Sequence, residues 1–233
     1  GRCCLVSIED PHITHLKARY AGLLDPAATT LLDGEPSLVG GADKHVRMAA
    51  VAAREALTHA QLDPRSLGRR LGLIFATCSG PMLLIEQHYE RILRGDPRLS
   101  SDQLFAKQYY TGAPQLARLF GITGLQTTVV TACSASTTAI ALAADLIRCG
   151  MLDAALAGGS DAFSLSTLAG FDGLKATCEG KCAPFSKPYG LNLGEAAAFV
   201  VLETSESAQR RGVPTQAEVL GSGMSNDAHH CSS

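Results

Sequence analysis

The chain has 233 residues, 46% hydrophobic and 18% charged, which is enough apolar material for one large α/β domain or two small ones. Its formal net charge is -2 and its Lys and Arg residues are scattered, so it lacks the basic footprint of a nucleic-acid partner. No apolar run approaches the ~20 residues that a membrane span requires, no signal peptide is visible at Gly1, and the default compartment is the cytoplasm.

Residues 1–42 carry the weakest patterns. A short strand is expected near Leu5 to Ile8, and Asp25, Pro26, Gly34, Pro36, Gly40 and Gly41 punctuate the rest as loop. His12 and His15 have no carboxylate or cysteine partners at ligand spacing and read as surface residues. From Asp43, placed as N-cap, the apolar face Val46, Ala49, Ala50, Ala53, Ala56 and Leu57 predicts a helix that Leu62 and Pro64 close. Arg69 to Thr77 reads as a buried strand, with Cys78, Ser79 and Gly80 as the turn after it. Met82 to Leu93 forms the next helix, on which His88 reads as a helix-face residue rather than a ligand.

Gly95 to Ser101 is expected as loop, with Ser101 capping the stretch that contains Leu104 and Phe105. Pro114 to Phe120 is helical and ends at Gly121. Gln126 to Val130 is a β-branched run and reads as a buried strand, whereas from Ser136 onward Ala139, Ile140, Ala143, Leu146 and Ile147 recur at helical spacing. Ala154 to Ala157 is a short buried strand ending at Gly158 and Gly159, and Ser164 to Phe171 a short helix. A loop from Cys178 to Leu191 is followed by a strand at Glu195 to Leu202, a helix at Ser205 to Arg211 and a further strand at Ala217 to Ser222. Strands alternating with helices argue for a mostly parallel sheet flanked by helices on both faces.

The eight cysteines, in a chain this long and apolar, read as reduced thiols rather than a disulfide framework. Cys178 and Cys182 have no second pair at zinc-ligand spacing, so no metal site is expected. Cys133 falls at the turn between the β-branched run and the Ala-rich helix. A thiol at a helix N-terminus faces unpaired backbone N–H groups and the positive end of the helix dipole, which favour the thiolate. Small neighbours, Ala132, Ser134, Ala135 and Ser136, leave room for a substrate. Free cysteine is also commonly an inert core residue, and the local pattern alone leaves both readings open.

Beyond the local pattern, TACSAS before an Ala-rich helix, then ALAGGSDAFS, then PFSKPYGLNLGEAAAFVVLE, resembles the β-ketoacyl synthases of fatty-acid and polyketide synthesis. The likeness runs from about Asp43 to the end, with the motifs in the family's order. It implies a thiolase-like layered α/β fold of which residues 1–233 form the N-terminal half, without a counterpart of the family's first strand and Gly-rich turn before Asp43. It also implies an acyltransferase. Cys133 would take an acyl group from an acyl carrier protein, and two histidines would then promote decarboxylation of the malonyl carrier protein. The segments that carry those histidines have no counterpart here, because His12, His15, His45, His59, His88, His229 and His230 match none of them. Condensation by this chain alone is therefore not expected.

The same resemblance places Phe171 as a wall of the acyl pocket, Gln108 near that pocket, and Asp227 and His230 on a gating segment within MSNDAHHCSS. No cofactor is implied. The partners implied are acyl carrier protein and a second synthase subunit, in a homodimer or a heterodimer. Two other readings stay open. One is a non-catalytic, chain-length-factor-like partner subunit, against which the retained Cys133 speaks. The other is an inactive fragment.

Overall fold

The structure is a computed structural model that describes residues 5–33, 43–96, 98, 108–185, 187 and 189–226. The chain enters through an antiparallel ribbon, β1 (Leu5–Ser7) with β2 (Tyr20–Gly22), followed by α1 (Pro26–Asp33) and α2 (Lys44–His59). Next come β3 (Leu71–Ala76), α3 (Met82–Leu93), α4 (Gly112–Phe120), β4 (Gln126–Val129) and α5 (Ala135–Arg148). The last elements are β5 (Ala154–Asp161), α6 (Leu165–Gly173), β6 (Ala196–Glu203) and α7 (Ser205–Arg211).

One sheet takes the order β4-β3-β5-β6. β3 runs parallel to both β4 and β5, while β6 returns antiparallel beside β5. Parallel neighbours need crossover connections; the α3–α4 region supplies one between β3 and β4, and α5 supplies the next. All six residues of β3 and the first seven of β5 are buried, which is why both read as unbroken apolar runs.

Alternate residues of these strands serve opposite faces. Leu71, Leu73, Phe75 and Leu156 pack against Val46, Ala49, Ala53 and Leu57 of α2 and Leu116 of α4. On the other face Ile74, Ala76, Ala155 and Ala157 meet Ala135, Ala139 and Ala143 of α5. Small side chains on both sides bring α5 close to the sheet. Gly159 marks the tightest approach, since a Cβ there would lie 2.6 Å from both Ala76 O and Ser136 Oγ.

Two carboxylates bind the outer segments to this core. Glu195, 8% exposed, accepts Lys44 Nζ at 2.6 and 2.7 Å, Leu24 N at 3.1 Å and Phe163 N at 3.2 Å. Asp172 accepts the Thr177 hydroxyl and the Lys17 and Ala18 amides, and these bonds, with Thr177 foremost, hold its carboxyl below the usual carboxylate range. Among the described residues no helix is long and apolar enough to cross a membrane.

Several expectations are corrected. α1 stands where loop was expected, because Pro26 fits the first helical position and Asp25 Oδ1 accepts Ala28 N at 2.8 Å. Asp43 does stand at the N-cap position of α2, its carbonyl accepting Arg47 N at 3.1 Å, but its side chain makes no cap bond and its carboxylate lies 3.0 Å from the buried His45 Nδ1. β5 does not stop at Gly158 but continues to Asp161, and the glycine is there because β6 passes too close for a side chain. Ala217 to Ser222 forms no strand. Among the described residues no strand pairs with it, and the Arg148 guanidinium donates to Val219 O at 2.6 Å. Ser101, Leu104 and Phe105 lie outside the described residues.

At Gly158 an added Cβ would lie 2.1 Å from Ala198 O and 2.6 Å from Phe199 Cα, whereas at Gly170 it would meet nothing within 4 Å. Gly158→Ala should therefore cost about 1–3 kcal/mol or more as an overpacking change. Gly170→Ala on α6 should hold or raise stability, by up to about 1 kcal/mol. Urea denaturation of the two variants beside the parent chain measures both.

Candidate active site

The turns after β3 and β4 start level with each other. Ala76 is paired with Val129, and Thr77 N donates to Val129 O at 3.1 Å. Beyond Val129 the chain folds into a 3₁₀ turn, Ala132–Ser134, that runs directly into α5. Ala132 adopts φ 49°, a left-handed conformation that costs a residue with a Cβ on the order of 1–3 kcal/mol. Ser134 Oγ donates to Thr131 O at 2.7 Å, and the Thr131 and Thr138 hydroxyls lie 3.2 Å apart, so the turn is tied from both sides. The result is Cys133 presented to solvent just ahead of Ala135, the first residue of α5. The 3₁₀ turn already engages the next two amides, Ser134 N donating to Thr131 O at 3.2 Å and Ala135 N to Ala132 O, so the backbone group that accompanies the thiol is the N–H of Cys133 itself.

The neighbouring turn is organised by Asp161, the last residue of β5. Its carboxylate accepts Thr77 Oγ1 at 2.7 Å, Cys78 N at 2.9 Å, Ser79 N at 2.8 Å and Ser79 Oγ at 2.8 Å. Gly80 follows at φ 55°, and a Cβ on it would lie 2.5 Å from the Tyr109 ring, so the turn is also backed by that ring. Cys78, half-buried, is thereby held in the turn next to the one that carries Cys133. Burial first, then the charges of Asp161 and Cys133, push the Cys78 thiol above the usual range.

The structure thus brings Cys133 together with a thiol and a carboxylate to which the sequence reading had assigned no role. The available signal was the polar Ser160-Asp161 that closes a buried apolar strand in ALAGGSD. Gln108 is part of the same neighbourhood, since its carbonyl accepts Thr111 N at 3.1 Å and Thr111 Oγ1 at 2.8 Å in the turn that carries Tyr109. Phe171 lies half-buried on α6. That helix is fastened to α3 by Glu86, which accepts Ser166 N at 2.7 Å and Leu165 N at 3.3 Å. Asp227 and His230 lie outside the described residues. Among the described residues, no three His, Cys, Asp or Glu side chains converge as a metal site. His88 is buried in α3, and His45 stacks on Phe75 with ring centroids 6.0 Å apart.

Residues 13–208 match the family model described as beta-ketoacyl synthase, N-terminal domain. The chain is 32% identical over 234 residues to the tetracenomycin polyketide synthase ketoacyl synthase alpha subunit of Streptomyces glaucescens, covering 92% of this chain and 54% of that protein. It is 33% identical over 199 residues to 3-oxoacyl-[acyl-carrier-protein] synthase 2 of Staphylococcus aureus, covering 81% of this chain and 49% of that protein. Among solved structures, the ishigamide ketosynthase/chain length factor superposes with a TM-score of 0.80 at 30% identity, over 97% of this chain and 57% of that one. The chain spans about half the length of the curated relatives it matches. With the family model spanning most of the chain and the mixed sheet flanked by helices, the chain belongs to the β-ketoacyl synthase family and carries its N-terminal, thiolase-like half.

Proposed function

We propose that Cys133 accepts an acyl group from an acyl carrier protein as a thioester, the first half-reaction of a decarboxylative condensation in fatty-acid or polyketide synthesis. The observation that carries this reading is the exposed Cys133 on a strained turn at the start of α5. In the step, the Cys133 thiolate attacks the carbonyl carbon of the incoming thioester. The backbone N–H of Cys133 supplies part of the donation to the developing oxyanion, and collapse of the tetrahedral intermediate expels the carrier's thiolate, which then takes up a proton. Cys78 stays a thiol beside it, so the pair does not compete for the acyl group. Gln108 approaches the same corner through the Tyr109 turn, and Phe171 is our candidate for the acyl-pocket wall.

The second synthase subunit is proposed to add to the free edge of β4. That strand pairs with β3 alone in the described sheet, and Val130, just past it, is 46% exposed. A homodimer and a heterodimer both fit an edge of this kind, and the ketosynthase/chain length factor relative is a pair of the second type.

Incubation with an acyl-loaded carrier protein should add one acyl group to the chain, mapped to Cys133 by peptide mass spectrometry. Cys133→Ala should abolish that adduct while Cys78→Ala retains it. An adduct carried on Cys78 or Cys178 would remove the proposal.

Selective alkylation gives an independent measure. With iodoacetamide at neutral pH Cys133 should be modified first, and Cys78 only at pH values above the ordinary thiol range. Asp161→Asn removes a negative charge that opposes the Cys78 thiolate, so the pH at which Cys78 becomes reactive should fall. Unchanged Cys78 labelling in that variant would contradict the electrostatic account of the corner.

A further inference from the structure

Cys78 serves no step in acyl transfer, yet its placement is heavily specified. Thr77 is bonded to β4 through its backbone N–H and to Asp161 through its hydroxyl, and the next amides, those of Cys78 and Ser79, are bonded to Asp161. The turn therefore has little freedom to carry Cys78 away from β4. On the other side, the close contact of Gly159 with Ser136 seats the first turn of α5 over the same strand ends. Two thiols, one exposed and one half-buried, are consequently carried on the neighbouring turns that follow two paired parallel strands.

We propose that Cys133 and Cys78 form a peroxide-responsive dithiol, closing to a reversible disulfide that takes the acylation nucleophile out of service. The inhibitory consequence rests on the acylation reading above, whereas the disulfide itself rests on the placement of the two thiols in neighbouring turns. In the first step the Cys133 thiolate attacks one oxygen of a hydroperoxide. The O–O bond breaks, Cys133 becomes a sulfenic acid, and the second oxygen leaves with a proton as water or an alcohol. In the second step the Cys78 sulfur attacks the Cys133 sulfur. The S–S bond forms, the S–O bond breaks, and the hydroxide takes the Cys78 proton and leaves as water. Peroxide is reduced and the two thiols are oxidised, so the electrons balance. A low-molecular-weight dithiol reverses the change by thiol–disulfide exchange.

The environments of the two thiols suit this order of events. Cys133 is open to the oxidant, while Cys78, half-buried and held protonated, is shielded until a sulfenic acid forms beside it. Two of the other described cysteines do not compete for the resolving role. Cys149 follows the far end of α5, roughly 21 Å along a helix of 14 residues, and Cys178 is buried. Without a resolving thiol at hand, a sulfenic acid on Cys133 proceeds to the irreversible sulfinic acid.

The test treats the chain with hydrogen peroxide, caps remaining thiols with N-ethylmaleimide, and maps peptides with and without dithiothreitol. The expected product is a Cys78–Cys133 linked peptide two hydrogens lighter than its reduced parts, with acyl transfer to the chain lost and then restored by dithiothreitol. Cys78→Ser under the same exposure should yield Cys133 sulfinic acid that dithiothreitol does not rescue. Cys133 oxidised to the sulfinic acid in the parent chain, with Cys78 still open to N-ethylmaleimide, would overturn the dithiol. A linked peptide in a chain that accepts no acyl group even before treatment would sustain the dithiol and overturn the acylation reading instead.

Discussion

Glu195 sits in the protein with almost no solvent, and its position is tolerable only because every approach to its carboxylate brings a donor. Burying an unpartnered carboxylate costs at least several kcal/mol. Here the donors come from three separate places: Lys44 at the start of α2, Leu24 at the exit of the N-terminal ribbon, and Phe163 just past β5. The start of β6 is therefore locked to the helix on one face of the sheet, to the first segment of the chain and to the strand in the middle. Phe163 lies two residues beyond Asp161, so the same constraint fixes the point from which Asp161 reaches across to the β3 turn. The corner that holds Cys78 and Cys133 inherits its rigidity from a carboxylate that touches neither.

The other half of that rigidity is steric. Ala135, Ala139 and Ala143 make α5 thin on its sheet side, and Gly159 removes the one side chain that would hold its first turn off the sheet. Parallel strands in such sheets offer their carboxyl ends as a binding crevice, and the close approach of α5 delivers the helix start to that end. A helix with larger residues at these positions would stand further from the sheet and carry Cys133 away from the β3 turn. Packing and chemistry are thus set by the same small residues, and their cost in buried area is offset by the large side chains on the opposite face, where Phe75 stacks between His45 and Phe199.

Elements with a strong period or a clear stop were legible in the amino-acid sequence. Met82 to Leu93 and Ser205 to Arg211 form with the bounds read from their patterns, and Gly121 ends α4 in the left-handed conformation expected of a C-terminal glycine. The place of Cys133 in the fold was legible for a local reason, since the change from β-branched residues to alanines marks a strand-to-helix junction within a few residues. What was not legible depends on partners distant in the chain. An apolar run does not state whether its strand is parallel or antiparallel, and β6 takes the second course. Ala217 to Ser222 has strand-like residues but, among the described residues, no strand paired with it. Asp43 holds the N-cap position, but its side chain makes no cap bond and lies beside a buried imidazole two residues on. The link from Asp161 to Cys78 spans 83 residues and exists only once the register of β3 and β5 is set.

Strain and support meet at Ala132. A left-handed alanine is a cost that the turn would shed if its flanks were loose, because an ordinary conformation is open to any unconstrained residue. It persists here because both flanks are held. Upstream, Val129 is paired through Thr77 to the pinned β3 turn. Downstream, Ala135 is buried against the sheet at the start of a helix that cannot shift. Between these anchors the chain must reverse within a few residues, and the reversal leaves the side chain of Cys133 facing outward. Relaxing Ala132 would require moving either β4 or α5, each of which is packed into the core. The outward placement of the thiol is therefore a consequence of how the strand end and the helix start are packed, and the cost of the turn is carried by the burial of Ala135, Ala139 and Val129 rather than by any contact that Cys133 itself makes.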